Sequence, residues 1–274
     1  MTASKSKDPY KIRNFWCVTA SKLKVFIKSP EAYYREFIEE VEMPDKESTA
    51  FLLGTSIDDY ISYWPIEWHK KYYLKEWRGK AYEDESRIAL TAWEYEKVTG
   101  MLRELKRQPL VDLWGNYEKQ VVVEGMYKGK LKLKWTLDRF SQEKQMIRDT
   151  KSTSNLKNFT FELSGKYGYE ISMAFYYALV KMIRFVDCDV YLDVVQSSWV
   201  YQSEVFCYQK ERMHTVLIDT IIPALDKLLE MTTQWEETKD ESIWKVQPAN
   251  RYELFDLETY PILETGLQQT ISYI

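Results

Sequence analysis

Two aspartates and a lysine lie close together in the middle of the sequence, in a stretch of alternating polar and apolar residues. Asp138 ends one strand-like run, and an Asp-x-Lys triplet running from Asp149 to Lys151 ends the next one. Because successive side chains of a strand alternate between its faces, Asp149 and Lys151 are predicted to point the same way. A hairpin between residues 130–138 and 145–151 is then expected to bring Asp138 beside Asp149.

These residue types indicate a particular chemistry. Two carboxylates a few ångströms apart repel each other unless a cation lies between them, and hard oxygen ligands favour Mg²⁺, with Mn²⁺ as the alternative. A lysine on the same face can orient or deprotonate a water molecule and offset the charge that develops on a phosphate. The pattern therefore predicts metal-dependent hydrolysis of phosphodiester bonds. The alternative is a surface hairpin with an ordinary Asp–Lys ion pair, because D-x-K triplets occur by chance in most chains of this length.

The charge of the chain is unevenly distributed. The net charge of −4 comes from residues 240–274, which hold six acids and two bases, while the remaining residues are balanced at 36 of each. Residues 127–158 hold nine bases and three acids. Because electrostatic steering depends on the local potential, an acidic chain with this basic segment remains compatible with a polyanionic partner such as DNA.

Several functional classes find no support in the sequence. Cys17, Cys188 and Cys207 are too far apart for a CxxC zinc site, and His69 and His214 have no nucleophile signature near them. No Walker A motif is present, so ATP-driven unwinding would need another protein. No run approaches the ~18 apolar residues of a membrane span, and the first residues lack a secretion signal, so we expect a cytoplasmic protein without membrane contact.

Helical patterns dominate the first part of the chain and strands the middle. Residues 117–124, 130–138 and 145–151 are predicted to form a three-stranded meander, which is followed by a helix, two further strands and a final helix with a kink at Pro223. Helices are predicted at 31–40, 51–61, 84–107, 166–184 and 212–234. The two later strands are predicted at 188–196 and 199–208. This order predicts an α/β core preceded by helices.

Two basic segments are candidates for contact with a nucleic acid. Residues 64–82 interleave aromatic and basic residues, which suits stacking on bases but equally suits an amphipathic helix with snorkelling lysines. Lysines recur at every second position from Lys128 to Lys134, and this parity reaches Asp138, so Lys132 and Lys134 are predicted to guide the phosphate backbone towards the acids. The alternating lysines are equally expected on the solvent face of a half-buried strand, and a bulge would break the register.

Four motifs, in order along the chain, give the sequence a resemblance to a known family. They resemble motifs of the PD-(D/E)XK nuclease superfamily, in its RecB-like and phage or RecE-type exonuclease branch. The four motifs are the entry signature at 19–34, the G-x-x-x-H helix at 54–58, the central Asp138 with 149–151, and the Q-x-x-x-Y helix at 169–176. The resemblance implies a restriction-endonuclease-like α/β core with an N-terminal helical embellishment. It also implies a single domain over 1–274, divided into a mainly helical part (1–110), a catalytic core (111–235) and an acidic extension (236–274).

The resemblance assigns roles to individual residues. It implies that Asp138, Asp149 and the Thr150 carbonyl bind Mg²⁺ or Mn²⁺, and that Lys151 positions the attacking water. Asp58 stands where this branch usually has a metal-binding histidine, and because aspartate also binds hard cations, we expect it to be a ligand.

The resemblance also implies residues that contact the substrate. Ser21 belongs to the entry signature, and Ser172 and Tyr176 belong to the Q-x-x-x-Y helix. Ser172 replaces the usual glutamine, which removes a longer amide contact and bears on activity.

The function implied is a Mg²⁺-dependent DNA exonuclease, rather than an endonuclease, that acts in phage-type recombination or DNA repair and leaves 5′-phosphate products. DNA is the expected partner, and relatives of this kind suggest a single-strand annealing protein and a homo-oligomeric ring as further associations. The alternative is a nucleic-acid-binding relative that keeps the fold and has weakened catalysis.

Overall fold

The computed structural model of the chain describes six segments. They are residues 16–41, 49–75, 87–113, 115–160, 167–198 and 200–245, with only the backbone given for 64–66, and the backbone of 267–269 is described as well. Within these segments the chain forms a mixed sheet with helices on both faces.

A short strand and two helices begin the described chain. Strand β1 (Cys17–Val18) leads into helix α1 (Ala20–Lys28), where the Thr19 hydroxyl caps the helix by accepting a hydrogen bond from the backbone N–H of Lys22 at 3.2 Å. Helix α2 (Pro30–Tyr33) continues through a π-helical turn at 34–38, and together they correspond to the helix predicted at 31–40.

Helix α3 (Thr49–Lys71) is longer than the predicted helix at 51–61. It incorporates residues 64–71 of the aromatic and basic patch, Trp68 packs inside at 2 % exposure, and strand β2 (Tyr72–Leu74) follows directly. The remainder of the patch beyond residue 75 lies outside the described residues. In the described parts of the chain, no helix is both long and apolar enough to cross a membrane.

The next helix begins later than predicted. Strand β3 (Ile88–Leu90) pairs in parallel with β2, and helix α4 (Ala92–Arg107) starts after it. Thr91 and Glu94 form a capping box, each side chain bonding to the backbone of the other, and this fixes the start that the apolar periodicity alone placed near residue 84.

The predicted meander is present, with β4 as an edge strand of the sheet. Strand β5 pairs along one edge with β4 in antiparallel fashion, and its other edge is shared by β1, at Lys132 and Leu133, and by β6, at residues 139–141. Strand β6 then pairs in parallel with β7, which continues to β8 and β9 through antiparallel pairings. The strands are β4 (Glu118–Tyr127), β5 (Leu131–Ser141), β6 (Met146–Thr153), β7 (Asp189–Gln196), β8 (Ser203–Tyr208) and β9 (Leu267–Gln269).

Helix α5 (Tyr169–Arg184) supplies the crossover between the parallel strands β6 and β7. Helices α6 (Lys210–Val216) and α7 (Ile222–Thr238) form the helical segment predicted at 212–234. A π-helical turn at 217–221 joins them, immediately before Pro223 at the start of α7. Proline lacks a backbone N–H and clashes with the preceding turn, and the wider π turn accommodates it.

Two hydrophobic clusters lie on opposite faces of the sheet. The larger cluster joins α1, α5 and α7 to the sheet and includes Val194 and Phe206. The smaller cluster holds α3 and α4 and includes Val195 and Val205. Because neighbouring residues of one strand alternate faces, these assignments place the two helical layers on opposite sides. The α5 layer and α3 meet the sheet around the end of β6.

Candidate active site

Strands β5 and β6 bring the predicted acids together. Arg139 pairs with Arg148 across the two strands, so the next position places Asp138 opposite Asp149. The backbone N–H of Thr150 approaches Asp138 Oδ2 at 3.4 Å, and Lys151 forms an ion pair with Asp149. The predicted hairpin is confirmed, although β5 continues past Asp138 to Ser141.

Helix α3 adds a third acid to this point. A Cβ atom placed on Gly54 would lie 3.6 Å from the Ser152 hydroxyl oxygen, so α3 crosses close to the end of β6. Asp58 lies one helical turn after Gly54 and therefore on the same face. Its electrostatic neighbours include Lys151 and Asp149, which places Asp58 with the acids of the sheet.

The protonation of the cluster reflects crowding of like charges. Burial raises the pKa of Asp58 to about 7; nearby Lys151 opposes this rise and Asp149 adds to it. Burial, followed by the charges of Asp149 and Asp58, holds the pKa of Asp138 well above its usual range. Burial disfavours the charged form of Lys151, but the three acids outweigh burial and keep its pKa above the ordinary value. Three carboxylates thus share one ammonium group, and a divalent cation would relieve their repulsion.

The residues present fit a hard divalent cation by their chemistry. The side chains of Asp58, Asp138 and Asp149 offer only oxygen donors, which Mg²⁺ and Mn²⁺ prefer. The Asp149 side chain is buried, and its Oδ2 atom forms an ion pair with Lys151 Nζ. Lys151 Nζ also donates to the Thr150 carbonyl at 3.2 Å.

The same side chains are not arranged as a finished metal site. Within the described ranges, no three histidine, cysteine, aspartate or glutamate side chains form a ready-made cage for a metal ion. Lys151 instead forms an ion pair with the Asp149 carboxylate and donates a hydrogen bond to the Thr150 carbonyl, and both of these groups are predicted metal ligands. Binding of a cation therefore requires these contacts to rearrange.

Helix α5 places Ser172 and Tyr176 against the acids. Both side chains are buried, and the Tyr176 ring stacks on Trp135 of β5 with centroids 4.7 Å apart. Burial, followed by the nearby charges of Asp149 and Asp138, raises the pKa of Tyr176, and a hydrogen bond with Ser172 opposes this shift. The tyrosine thus remains a protonated hydroxyl that faces the acid cluster.

We expect Tyr176→Phe to slow cleavage by about ten- to hundredfold, because the hydroxyl is a hydrogen-bonding group among charged atoms and such bonds contribute ~1.5–3 kcal/mol. The ring stacks on Trp135 in both variants, so the melting temperature should stay within a few degrees. Steady-state rates on labelled DNA, with melting temperatures measured in parallel, test this. Tyr63→Phe, which alters an exposed tyrosine of α3, is the matched control.

The lysine pair of β5 does not join the acids. Lys132 and Lys134 form ion pairs with Glu124 of β4 at 2.6 and 2.9 Å. Lys134 is four residues before Asp138, a distance of about 13 Å along a strand. The prediction that these lysines bind DNA stays a prediction, but the predicted shared face with Asp138 is wrong.

A local irregularity explains this correction. Leu137 and Phe140 both belong to the larger core cluster although three residues separate them, so the alternation of β5 shifts between them. Opposite this point in β4, Gln120 has a φ of 53°, and its expected pairing with Asp138 is missing from the ladder. Asp138 therefore faces the same side as Phe140, away from the parity of the lysines.

Ser21 lies on the exposed side of the first turn of α1. A residue on the same helix that the sequence analysis did not single out, Lys24, comes closer to the acids, since Lys151 and Asp149 are among its electrostatic neighbours. Ser21 and Lys24 are three positions apart and share a helical face. The role of Ser21 in contacting the substrate stays a prediction.

A buried ion triad lies on the opposite face of β5 and β6, and local patterns gave no signal for it. Asp193 of β7 accepts hydrogen bonds from Arg139 and Arg148, the two residues that directly follow Asp138 and precede Asp149. All three side chains are at most 5 % exposed. Arg139 also donates to Thr150 Oγ1 at 3.0 Å and to the carbonyl of Asp112, and Arg148 donates to the carbonyl of Leu110. The triad fixes the backbone of the two strands immediately behind the acids.

Comparisons with known proteins agree with this architecture. Residues 19–241 match the model of a family described as a PDDEXK-like domain of unknown function (DUF3799). A crystal structure of a protein from Eubacterium rectale, provisionally described as an exonuclease, superposes with a TM-score of 0.61 at 16 % sequence identity, over 82 % of this chain and 86 % of that one. At this identity the likeness shows a shared fold. The comparison with curated proteins gives no match.

Proposed function

Because the chain belongs to this PDDEXK-like family, whose fold supports a nuclease-type function, we propose that it is a Mg²⁺-dependent deoxyribonuclease that acts as an exonuclease. The observation that carries the proposal is the convergence of Asp58, Asp138, Asp149 and Lys151 where α3, β5 and β6 meet. Mn²⁺ is the alternative cofactor.

The side chains divide the work of hydrolysis among them. A divalent cation, when bound by Asp58, Asp138 and Asp149, would supply charge for the phosphate oxygens and the attacking water. Lys151, which is protonated in this surrounding, holds a positive charge beside the reacting phosphate and orients the water by hydrogen bonding. The water oxygen forms a bond to phosphorus, the 3′ oxygen leaves with a proton, and a 5′-phosphate remains. Tyr176 donates a hydrogen bond into the same space.

The wider role belongs to the same proposal. We place the protein in the cytoplasm, as a single domain with DNA as its partner, in phage-type recombination or DNA repair. An annealing protein and a homo-oligomeric ring would extend this role. The PDDEXK-like family and the provisional exonuclease description of the Eubacterium rectale protein support the choice of DNA hydrolysis.

Digestion of end-labelled linear DNA beside covalently closed circular DNA tests the function. We expect mononucleotides or short products from the linear substrate with Mg²⁺ or Mn²⁺, an intact circle, and no cleavage in EDTA. Cleavage of the circle would identify an endonuclease. Cleavage that persists in EDTA would contradict the metal-dependent mechanism.

A second candidate is a DNA-binding relative with weakened catalysis. The observation that favours it is the replacement of the usual glutamine by Ser172, together with the Lys151 contacts that take up two predicted metal ligands. This candidate predicts tight binding of DNA with no turnover in either Mg²⁺ or Mn²⁺. The digestion experiment therefore separates the two candidates when binding is measured on the same DNA.

We expect Asp58→Ala to raise the Mg²⁺ concentration needed for half-maximal activity by about tenfold or more, because one of three oxygen-donating side chains is lost. Asp58→His should retain activity, since it restores the ligand that the resembling branch uses at this position. Metal titrations of activity and of melting temperature check both variants. Asp59→Ala is the control, as Asp59 pairs with Lys71 and Tyr72 instead. A wild-type titration curve for Asp58→Ala would show that Asp58 is not a ligand.

A further inference from the structure

Lys24 of α1 is held in place at the start of α5. A Cβ placed on Gly168, which has a φ of +56°, would lie 2.9 Å from Lys24 Cδ, so the lysine stem packs closely against this glycine. Lys24 Nζ donates to the carbonyl of Tyr167 at 3.0 Å. The side chain is half-buried. Lys151 Nζ lies 6.0 Å from the ring centroid of Tyr169, the residue after Gly168, so the amino group of Lys24 is held beside the acid cluster.

Lys24 has two other lysines among its nearest charged groups. Burial, followed by the like charges of Lys151 and Lys28, lowers the pKa of Lys24 to about 8, and Asp149 opposes this shift. Among the described residues no carboxylate lies within ion-pair distance of Lys24, and its acceptor is a neutral carbonyl. A second ammonium group next to Lys151 is unfavourable in the free protein. A negatively charged ligand bound between the two lysines would relieve this repulsion.

Resting on the proposed function, we propose that Lys24 binds a phosphate of the DNA backbone adjacent to the phosphate that is cleaved at Lys151. Two neighbouring phosphates are then held by two lysines from different elements, α1 and β6. This arrangement determines which phosphate of the DNA strand lies next to the acids. Ser21, on the same face of α1 and exposed, lies one turn towards the outside and extends the path of the backbone.

The purely structural alternative is that Lys24 only ties α1 to the start of α5 through Tyr167. That role predicts a loss of stability and no change in how DNA binding depends on salt. Lys24→Met keeps most of the packed stem and removes the charge, while Lys24→Arg keeps the charge. These two variants separate packing from phosphate binding.

The test measures the affinity of wild type and of each variant for one short duplex in EDTA, at several salt concentrations. We expect Lys24→Met to bind about five- to tenfold more weakly, with a salt slope lower by about one, because one phosphate contact releases about one counterion. Lys24→Arg should restore the slope. Lys227→Met, which removes an exposed lysine of α7, is the control and should leave the slope unchanged.

Duplexes that carry a single neutral methylphosphonate, moved one position at a time around the cleaved bond, locate the contact. One position should weaken binding by wild type yet add nothing to the loss in Lys24→Met. An unchanged salt slope in Lys24→Met, or additive losses at every position, would overturn the proposal. If the slope falls and one position is non-additive while no metal supports cleavage, the phosphate contact stands and the nuclease function fails.

Discussion

Asp149→Asn and Lys151→Met are each expected to reduce the rate of DNA cleavage by at least about a thousandfold, but only Lys151→Met is expected to lower stability. Asp149→Asn removes a negative charge from a cluster in which Asp58 and Asp138 already have raised pKa values. Its melting temperature in EDTA should therefore equal or exceed that of wild type. Lys151→Met removes the cation that the acids share, so its melting temperature should fall.

The measurement combines single-turnover cleavage rates with thermal melting, each with and without Mg²⁺. Added Mg²⁺ should raise the melting temperature of Lys151→Met more than that of Asp149→Asn, because only the former keeps all three carboxylates. Lys157→Met, which alters an exposed lysine after β6, is the matched control. Turnover within tenfold of wild type in either variant would remove these residues from the reaction.

Asp193→Asn is expected to destabilise the protein by ~3–5 kcal/mol, because it leaves two buried arginines without their counter-charge. Arg139 and Arg148 converge on this one carboxylate at the centre of the sheet, and their other acceptors include two backbone carbonyls, the Thr150 hydroxyl and the Met146 sulfur, all uncharged. The loss should appear as a lower urea midpoint with an unchanged slope of the unfolding free energy.

The same strand offers a control for this variant. Asp189 at the start of β7 pairs with Lys210, but its side chain is 46 % exposed. Exposed ion pairs contribute at most about 1 kcal/mol, so Asp189→Asn should shift stability by no more than that. If the two variants unfold at the same urea concentration, the buried triad does not hold the strands together.

The parts of the site that follow a short local rule were predictable from the sequence. Asp149 and Lys151 share a face because a strand has period 2, and Gly54 and Asp58 share one because a helix returns after four residues. Both relations are present in the structure. The rules act between neighbours in the chain, so tertiary packing had little opportunity to alter them.

Features that depend on distant residues were not predictable in this way. The strand was predicted to end at Asp138, whereas β5 continues to Ser141, and Asp193, 54 residues later, holds Arg139 in the interior. Similarly, α3 continues through Pro65, where a proline normally ends a helix, since burial of Trp68 outweighs the local cost. Lys24 showed no signal, because its partner Tyr167 lies 143 residues away.

Residues on the two faces of β6 contribute to different properties. One face supports the amount of folded protein, and the other supports catalytic turnover. In a deep mutational scan, substitutions at Arg148 and Thr150 should lower the amount of folded protein. Substitutions at Asp149 and Lys151 should leave protein in the cell that no longer acts on its substrate. Because removing an acid relieves repulsion, selection for expression level alone would enrich Asp149 variants. Directed evolution for stability alone would therefore lose catalytic activity first, through substitutions on the Asp149 face of β6, while Arg148 and Thr150 on its other face would be retained.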